Sequence, residues 1–276
     1  MRQEDSGILD KTGEVMDDTL TLVALGIVAF VAADMAHEAL GHGLAILAMG
    51  AKPVMLTTCY FRSSGSLSKW IPAAGGIANV VVGLGSLLAL RLLRTAGPSV
   101  RCFLVLLMAF NLLFAAAYPA YSGIALFGDW AAVISGLSPA WVWRGLLVIF
   151  SGISYYISLL LLAVELRPFC GSNTPEALTR LQRITLIPLI AALAVAGLGG
   201  AFNPVGWTVV FTSALPGAAA AFGLTQIDHF PAVRVSGSAV PAGAIKRSLG
   251  WILAAAAVLI FFAGVLGPGI KFGPNL

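Results

Sequence analysis

Four ionisable side chains fall within nine residues of a long apolar stretch near the N-terminus. Asp34, His37, Glu38 and His42 lie inside the run 19–50, which otherwise has the composition of a membrane helix. An ionisable group at the centre of a membrane helix costs on the order of 3 kcal/mol, so four of them need a compensating partner. A bound divalent metal ion is such a partner, and this stretch is the first place to look for function.

The residue types suit a zinc hydrolase, but the spacing requires a distorted helix. His37 and His42 would supply two ligands, and Glu38 has the position of the base in H-E-x-x-H motifs. Residues five apart lie roughly 140° apart around a regular helix, so the two rings would diverge. A π-type turn with one extra residue would bring them together, and Gly41 is the residue most able to allow it.

A metal-free interpretation stays open on the same residues. Asp34, Glu38 and His42 are spaced i, i+4, i+8 and would line one face of a regular helix. Such a line could carry protons or cations in a transporter, or form a hydrogen-bonded structural cluster.

The rest of the chain indicates an all-α polytopic membrane protein with about seven transmembrane helices. Mean hydropathy is +0.94 and 10% of residues are charged, against about 25% in a soluble domain. Each span needs about 20 apolar residues. The predicted spans are Thr19–Gly50, Trp70–Leu90, Cys102–Tyr121, Gly145–Val164, Ile184–Phe202, Val205–Ile227 and Ser248–Gly267.

The segments between spans carry further predictions. Residues 1–18 hold half of the acidic residues and are expected to form a solvated tail and not a signal peptide. The β-branched and aromatic residues of Pro53–Ser68 predict a strand or small hairpin after the first span. Gly123–Trp143 is interrupted by glycine and proline and predicts a short broken or re-entrant element. The residues 203–206 (Asn-Pro-Val-Gly) predict a tight turn between two spans.

Charge and cysteine content exclude several classes of function. The basic residues are dispersed along the loops, which suits lipid headgroups and not nucleic acid. Their distribution favours a cytoplasmic N-terminus, and we expect a multi-pass protein of a bacterial cell (inner) membrane. The three cysteines are widely spaced, so no cysteine zinc site or disulfide framework is predicted. His229 matches no metal-binding spacing and is expected to be a loop residue.

Three motifs in order resemble the site-2 protease family of intramembrane zinc metalloproteases. The segment 37–42 (His-Glu-Ala-Leu-Gly-His) is similar to the family's H-E-x-G-H helix. After a strand-like loop, 74–79 (Ala-Gly-Gly-Ile-Ala-Asn) is similar to its G-P-x-x-N segment. Asn111-Leu112-Leu113, leading to Tyr118-Pro119, is similar to its N-L-x-P segment. The resemblance covers residues 19–135, about half of the chain.

The resemblance implies a zinc-dependent metalloendopeptidase that hydrolyses peptide bonds of membrane-embedded or membrane-proximal proteins. Zn²⁺ would be held by His37, His42 and a third ligand, and Glu38 would be the catalytic base. Asn79 and Asn111 would bind the substrate backbone or the site water. The strand-like segment Val54–Phe61 would present an edge to an extended substrate by strand addition. Residues 19–143 would form the catalytic core and 144–276 would add further transmembrane helices.

This sequence departs from the family pattern at three points. The histidine spacing is one residue longer, a variant that also occurs in the dipeptidyl-peptidase III family of zinc peptidases. The family's Gly-Pro is Gly75-Gly76 here. Its L-D-G, which supplies the third ligand, aligns with residues 121–123 (Tyr-Ser-Gly). Asp129 is the only acidic residue between Glu38 and Glu165, and we expect it to be the third metal ligand. A transporter, or a catalytically inactive zinc-binding relative, is the alternative function.

Overall fold

A computed structural model of the protein describes residues 16–65, 68–170, 174–234 and 242–273. Within these residues, seven helices are long and apolar enough to cross a membrane, which confirms the predicted number of spans. The chain is therefore an integral, multi-pass membrane protein. The spanning helices are α1 (Thr19–Ala48), α2 (Trp70–Leu92), α3 (Pro98–Ala125), α5 (Ala140–Cys170), α6 (Pro175–Ala201), α7 (Trp207–His229) and α9 (Leu249–Leu266).

α6 extends beyond its predicted start because a polar first turn continues the helix. α6 begins at Pro175 and not at Ile184, since the Thr174 hydroxyl accepts a hydrogen bond from the Ala177 amide and caps the helix. The predicted turn between α6 and α7 is confirmed, because the Gly206 amide donates to the Asn203 carbonyl at 2.8 Å.

Two short helices complete the α-helical elements, α4 (Asp129–Ile134) and α8 (Pro231–Arg234). The first confirms the prediction of a broken element in Gly123–Trp143. Gly128 and Gly136 bracket α4 with positive φ angles of 87° and 76°. α4 therefore lies between two sharp turns, directly after α3.

A small antiparallel sheet follows α1, in the strand order β2-β1-β3. The predicted hairpin is confirmed and consists of β1 (Lys52–Leu56) and β2 (Phe61–Ser64). β3 (Ile270–Lys271) was not predicted and pairs with the other side of β1, with Ile270 opposite Leu56. β1 is therefore the central strand, and its second edge is not free.

The prediction of a solvated tail over residues 1–18 is wrong at Asp17. Residues 1–15 lie outside the part of the chain that the structure describes. Asp17 is buried and accepts hydrogen bonds from Arg180 Nε at 2.8 Å and from the Ile245 amide at 2.8 Å. Asp18 caps α1 by accepting from the Thr21 amide. Burial alone would raise the pKa of Asp18, but its bonds to Thr21 and the charge of Arg247 lower it. Both side chains tie the start of α1 to the fold.

The helices pack around α1 and α3. α1 contacts α3, α6 and α9, while α3 also packs against α2 and α5. Leu25, Met108 and Leu113 are fully buried in the main apolar core. The part of α1 that carries the two histidines packs against α2, and His37 meets Asp129 at the start of α4.

Candidate metal centre

The predicted over-long turn is present in α1. Residues Ala36–Gly43 form a π-helix between two α-helical segments of the same span. A π-helix bonds i to i+5, so residues five apart lie on nearly the same side. His37 and His42 therefore face each other, with their Nε2 atoms 3.2 Å apart and their rings edge-to-face.

Asp129 joins the two histidines, as predicted from its isolation in the sequence. Its Oδ2 atom lies 3.0 Å from His37 Nε2 and 3.2 Å from His42 Nε2. Although burial opposes ionisation, the contacts with the two histidines lower the pKa of the Asp129 carboxyl well below its ordinary value. Ser122, which aligns with the family's aspartate, is buried on α3 and does not belong to this group.

Two features of neighbouring residues hold Asp129 in place. The Tyr118 hydroxyl accepts a hydrogen bond from the Asp129 amide at 3.1 Å. Gly128 adopts a φ of 87°, and a Cβ there would lie 2.5 Å from the Tyr118 hydroxyl oxygen. A glycine is therefore required for the close approach that brings the carboxylate to the histidines.

The outer nitrogens of both rings bond to groups of α2. His42 Nδ1 lies 2.8 Å from the Ile71 carbonyl oxygen, which only accepts, so this nitrogen carries the proton. His37 Nδ1 lies 2.7 Å from Asn79 Oδ1. The Asn79 amide nitrogen donates to Ala33 O and Asn111 Oδ1, which fixes its oxygen towards His37. Both histidines are thereby held with their Nε2 lone pairs pointing inward.

The three inward atoms form a set that fits a metal ion. Two imidazole lone pairs and a carboxylate oxygen face one another, and none of them has a proton to share when both rings are neutral. Zinc–ligand distances of about 2.0–2.1 Å in a tetrahedron separate the ligands by about 3.3 Å, close to the observed 3.0–3.2 Å. Among the described residues, this is the one group of three such ligand atoms within 4.8 Å of one another.

α1 and α2 approach each other closely, and this approach requires glycine at positions 41 and 75. A Cβ on Gly75 would lie 2.5–2.7 Å from ring atoms of both histidines. A Cβ on Gly41 would lie 2.6 Å from Gly75 Cα. Gly41 lies within the π-helix, and its φ angle is not in the left-handed region. Glycine is needed at this position because a side chain would collide with α2, in addition to the flexibility predicted from the sequence.

Glu38 lies beside the triad with an unused acceptor. Its side chain is 5% exposed, and Oε2 has no hydrogen-bond partner. The backbone N–H of Phe61, at the start of β2, interacts with the same carboxylate. A buried carboxylate oxygen without a hydrogen-bond partner is uncommon in folded proteins. Its position suits a group that exchanges a proton with a ligand in the site.

Asn79 and Asn111 are both fully buried and bond to protein groups. Asn79 supports His37 directly, and Asn111 supports Asn79. Their predicted contact with substrate stays a prediction. His229 is the last residue of α7, is mostly exposed and pairs with Asp228 at 3.0 Å, away from the triad.

The three cysteines lie outside the candidate ligand group. Cys59, Cys102 and Cys170 are not joined in disulfides, and none of them is among the three clustered ligand residues. Burial and the neighbouring charge of Asp34 raise the pKa of Cys59 to about 12, so its thiol is protonated at neutral pH. The absence of a cysteine zinc site stays a prediction.

Sequence reasoning missed the groups that position the ligands. The Ile71 carbonyl belongs to the backbone, so the residue type does not indicate that it will bond to His42. Tyr118 was noted only as part of a motif, and its hydroxyl is recognisable as a support only once α3 and α4 are seen to meet.

Comparisons with known proteins identify no relative, because no protein-family model, no curated protein and no solved structure matches this chain. The site and the fold therefore carry the functional argument by themselves.

Proposed function

We propose that the protein is a zinc-dependent metalloendopeptidase acting on polypeptides within or beside the bilayer. The observation that carries the proposal is the convergence of His37 Nε2, His42 Nε2 and Asp129 Oδ2 beside Glu38, whose Oε2 atom has no hydrogen-bond partner. Two histidines, one carboxylate ligand and a carboxylate base form the donor set of many catalytic zinc sites. The resemblance to the site-2 protease family adds support from the sequence, and the bacterial cell membrane stays the expected location.

In this proposal each residue has a separate task. His37, His42 and Asp129 hold Zn²⁺, which when bound supplies a Lewis acid that polarises a carbonyl and lowers the pKa of water. Glu38 accepts a proton from the attacking water and delivers it to the leaving amine. Asn79 and the Ile71 carbonyl keep both imidazoles in the tautomer whose Nε2 lone pair faces the ion.

The free edge of β2 is the proposed docking place for an extended substrate. The Thr57 amide bonds to the Tyr60 carbonyl, so the next residue, Phe61, directs its N–H away from β1. That N–H interacts with Glu38, which puts the edge of β2 at the site. The prediction that Val54–Phe61 offers this edge is wrong for β1, because β1 pairs with β2 on one side and with β3 on the other. The proposed edge is therefore moved to β2.

Metal analysis and cleavage test the proposal in sequence. Purified protein should contain about one zinc per chain, and His37→Ala should lose it while keeping wild-type helix content. Glu38→Gln should retain zinc yet abolish cleavage of a model membrane substrate. Absence of zinc from the wild type would remove the metal class.

The cleavage assay also separates an enzyme from an inactive zinc-binding relative. Wild type that contains zinc but cleaves no substrate would support the inactive relative. The transporter alternative relied on a regular helix that aligns Asp34, Glu38 and His42. The π-helix breaks that alignment, since His42 turns to His37 and Asp129. We therefore do not propose transport.

A further inference from the structure

A cavity of about 120 Å³ lies beside His37 and Glu38. It is lined by residues of α1, α2, α3 and α7 and of the turn after β1. The aromatic rings of Phe30, Phe110 and Phe114 form part of its walls. Pockets for drug-sized ligands measure at least about 300 Å³, so this cavity matches a single side chain.

Asp34 is an acidic residue of the cavity that has no role in the proposed peptidase mechanism. It lies one turn before Glu38 and lines the same space. Its Oδ2 atom is buried and has no hydrogen-bond partner. Among the described residues no lysine, arginine or histidine forms an ion pair with it. Two carboxylates, those of Asp34 and Glu38, thus meet the cavity without a cation.

A second metal ion does not account for this arrangement. Asp34, Glu38 and Cys59 do not bring three ligand atoms within 4.8 Å, and the triad is the one described group that does. The Cys59 thiol is also protonated at neutral pH, so it is a poor metal ligand. An organic cation that fills the apolar space fits the lining of the cavity and the unpartnered Asp34 Oδ2 atom better than a metal ion.

We propose that the cavity is a specificity pocket for a lysine or arginine side chain of the substrate, whose cationic end pairs with Asp34. The aliphatic part of such a side chain would pack against the aromatic walls, which also attract a cation. The inference rests on the proposed peptidase function and names its substrate preference. Asp34 is then a substrate-binding residue beside the catalytic Glu38.

Direct binding tests the pocket without any cleavage. The probe is n-butylammonium, titrated by calorimetry into the zinc-loaded full chain, with n-butanol as the uncharged analogue. Wild type should bind the amine and bind the alcohol far more weakly. Asp34→Asn should weaken amine binding at least about thirtyfold, the usual effect of removing one partner of a buried charge pair. Asp228→Asn, the same change at a buried carboxylate outside the cavity, should bind like wild type.

Cleavage-site profiling tests the substrate preference. Wild type acting on a mixed peptide library should show lysine or arginine enriched at one position beside the cleaved bond. Asp34→Asn should lose this enrichment while still cleaving peptides with norleucine at that position. Mass spectrometry of the products reads both outcomes.

The two experiments separate the two hypotheses. Amine binding that depends on Asp34, without cleavage of any peptide, supports the pocket and overturns the peptidase. Cleavage with no preference for basic residues, together with equal amine binding by wild type and Asp34→Asn, overturns the pocket and leaves the peptidase standing.

Discussion

Gly75→Ala is the sharpest single test of the metal centre because it adds one methyl group to the contact surface of both histidines. The new Cβ would lie 2.5 Å from His37 Cε1 and 2.7 Å from His42 Nε2. Ordinary contact begins at 3.4 Å, so the rings would have to retreat by 0.7–0.9 Å. Zinc–ligand distances tolerate about 0.2 Å. Both nitrogens would therefore leave coordinating distance.

The expected loss of zinc affinity is more than about a hundredfold. Removing a group that only orients a ligand costs 10–100-fold, and Gly75→Ala displaces two ligands at once. The assay is a zinc titration of chelator-treated protein against a competing fluorescent chelator, with helix content followed by circular dichroism.

Gly85→Ala is the matched control, because Gly85 lies on the same helix and a Cβ there meets nothing within 4 Å. It should keep wild-type zinc affinity and gain up to about 1 kcal/mol of helix stability. Wild-type zinc affinity in a folded Gly75→Ala protein would refute the geometry of the site.

Three further predictions concern the groups around the ligands. Asn79→Ala should weaken zinc binding about 10–100-fold in the same titration, because His37 Nδ1 loses its acceptor, whereas Asn203→Ala should lower thermal stability alone. Gly128→Ala should weaken zinc binding because its Cβ would collide with the Tyr118 hydroxyl. Gly136→Ala has a similar φ and open space around it, so it should leave zinc binding unchanged. Equal losses of zinc affinity in the two variants would indicate that backbone strain alone is responsible. Cys59 should react with iodoacetamide at pH 8 about a thousandfold more slowly than an exposed thiol, because a pKa near 12 leaves little thiolate; peptide mapping that shows fast labelling would contradict this.

Local patterns predicted the parts of this fold that depend on nearby residues. Apolar runs predicted the seven spans, and β-branched and aromatic residues followed by a turn predicted the hairpin at Pro53–Ser68. The unusual spacing of His37 and His42 predicted the π-helix, because two ligands for one ion cannot meet on a regular turn. Asp129 was predicted because a lone acidic residue in a broken apolar stretch needs a partner.

The parts that escaped prediction depend on contacts between distant segments. β3 has two residues, too few for a periodic pattern, and it forms only because β1 offers an edge. The need for glycine at position 75 arises where α2 crosses the histidine rings, which no local pattern records. Asp17 was assigned to the solvated tail because the sequence does not show that Arg180 comes beside it.

The two halves of the chain contribute different parts of the candidate site. The three candidate ligand residues, and the α2 groups that orient the histidines, all come from residues 19–143. The far wall of the cavity comes from α7, and the strand that covers β1 comes after α9. Under the proposed function, the first half would hold the metal, while the second half would shape the space that a substrate side chain enters. Changes in α7 should therefore alter substrate choice before they alter zinc affinity, because α7 supplies none of the ligands.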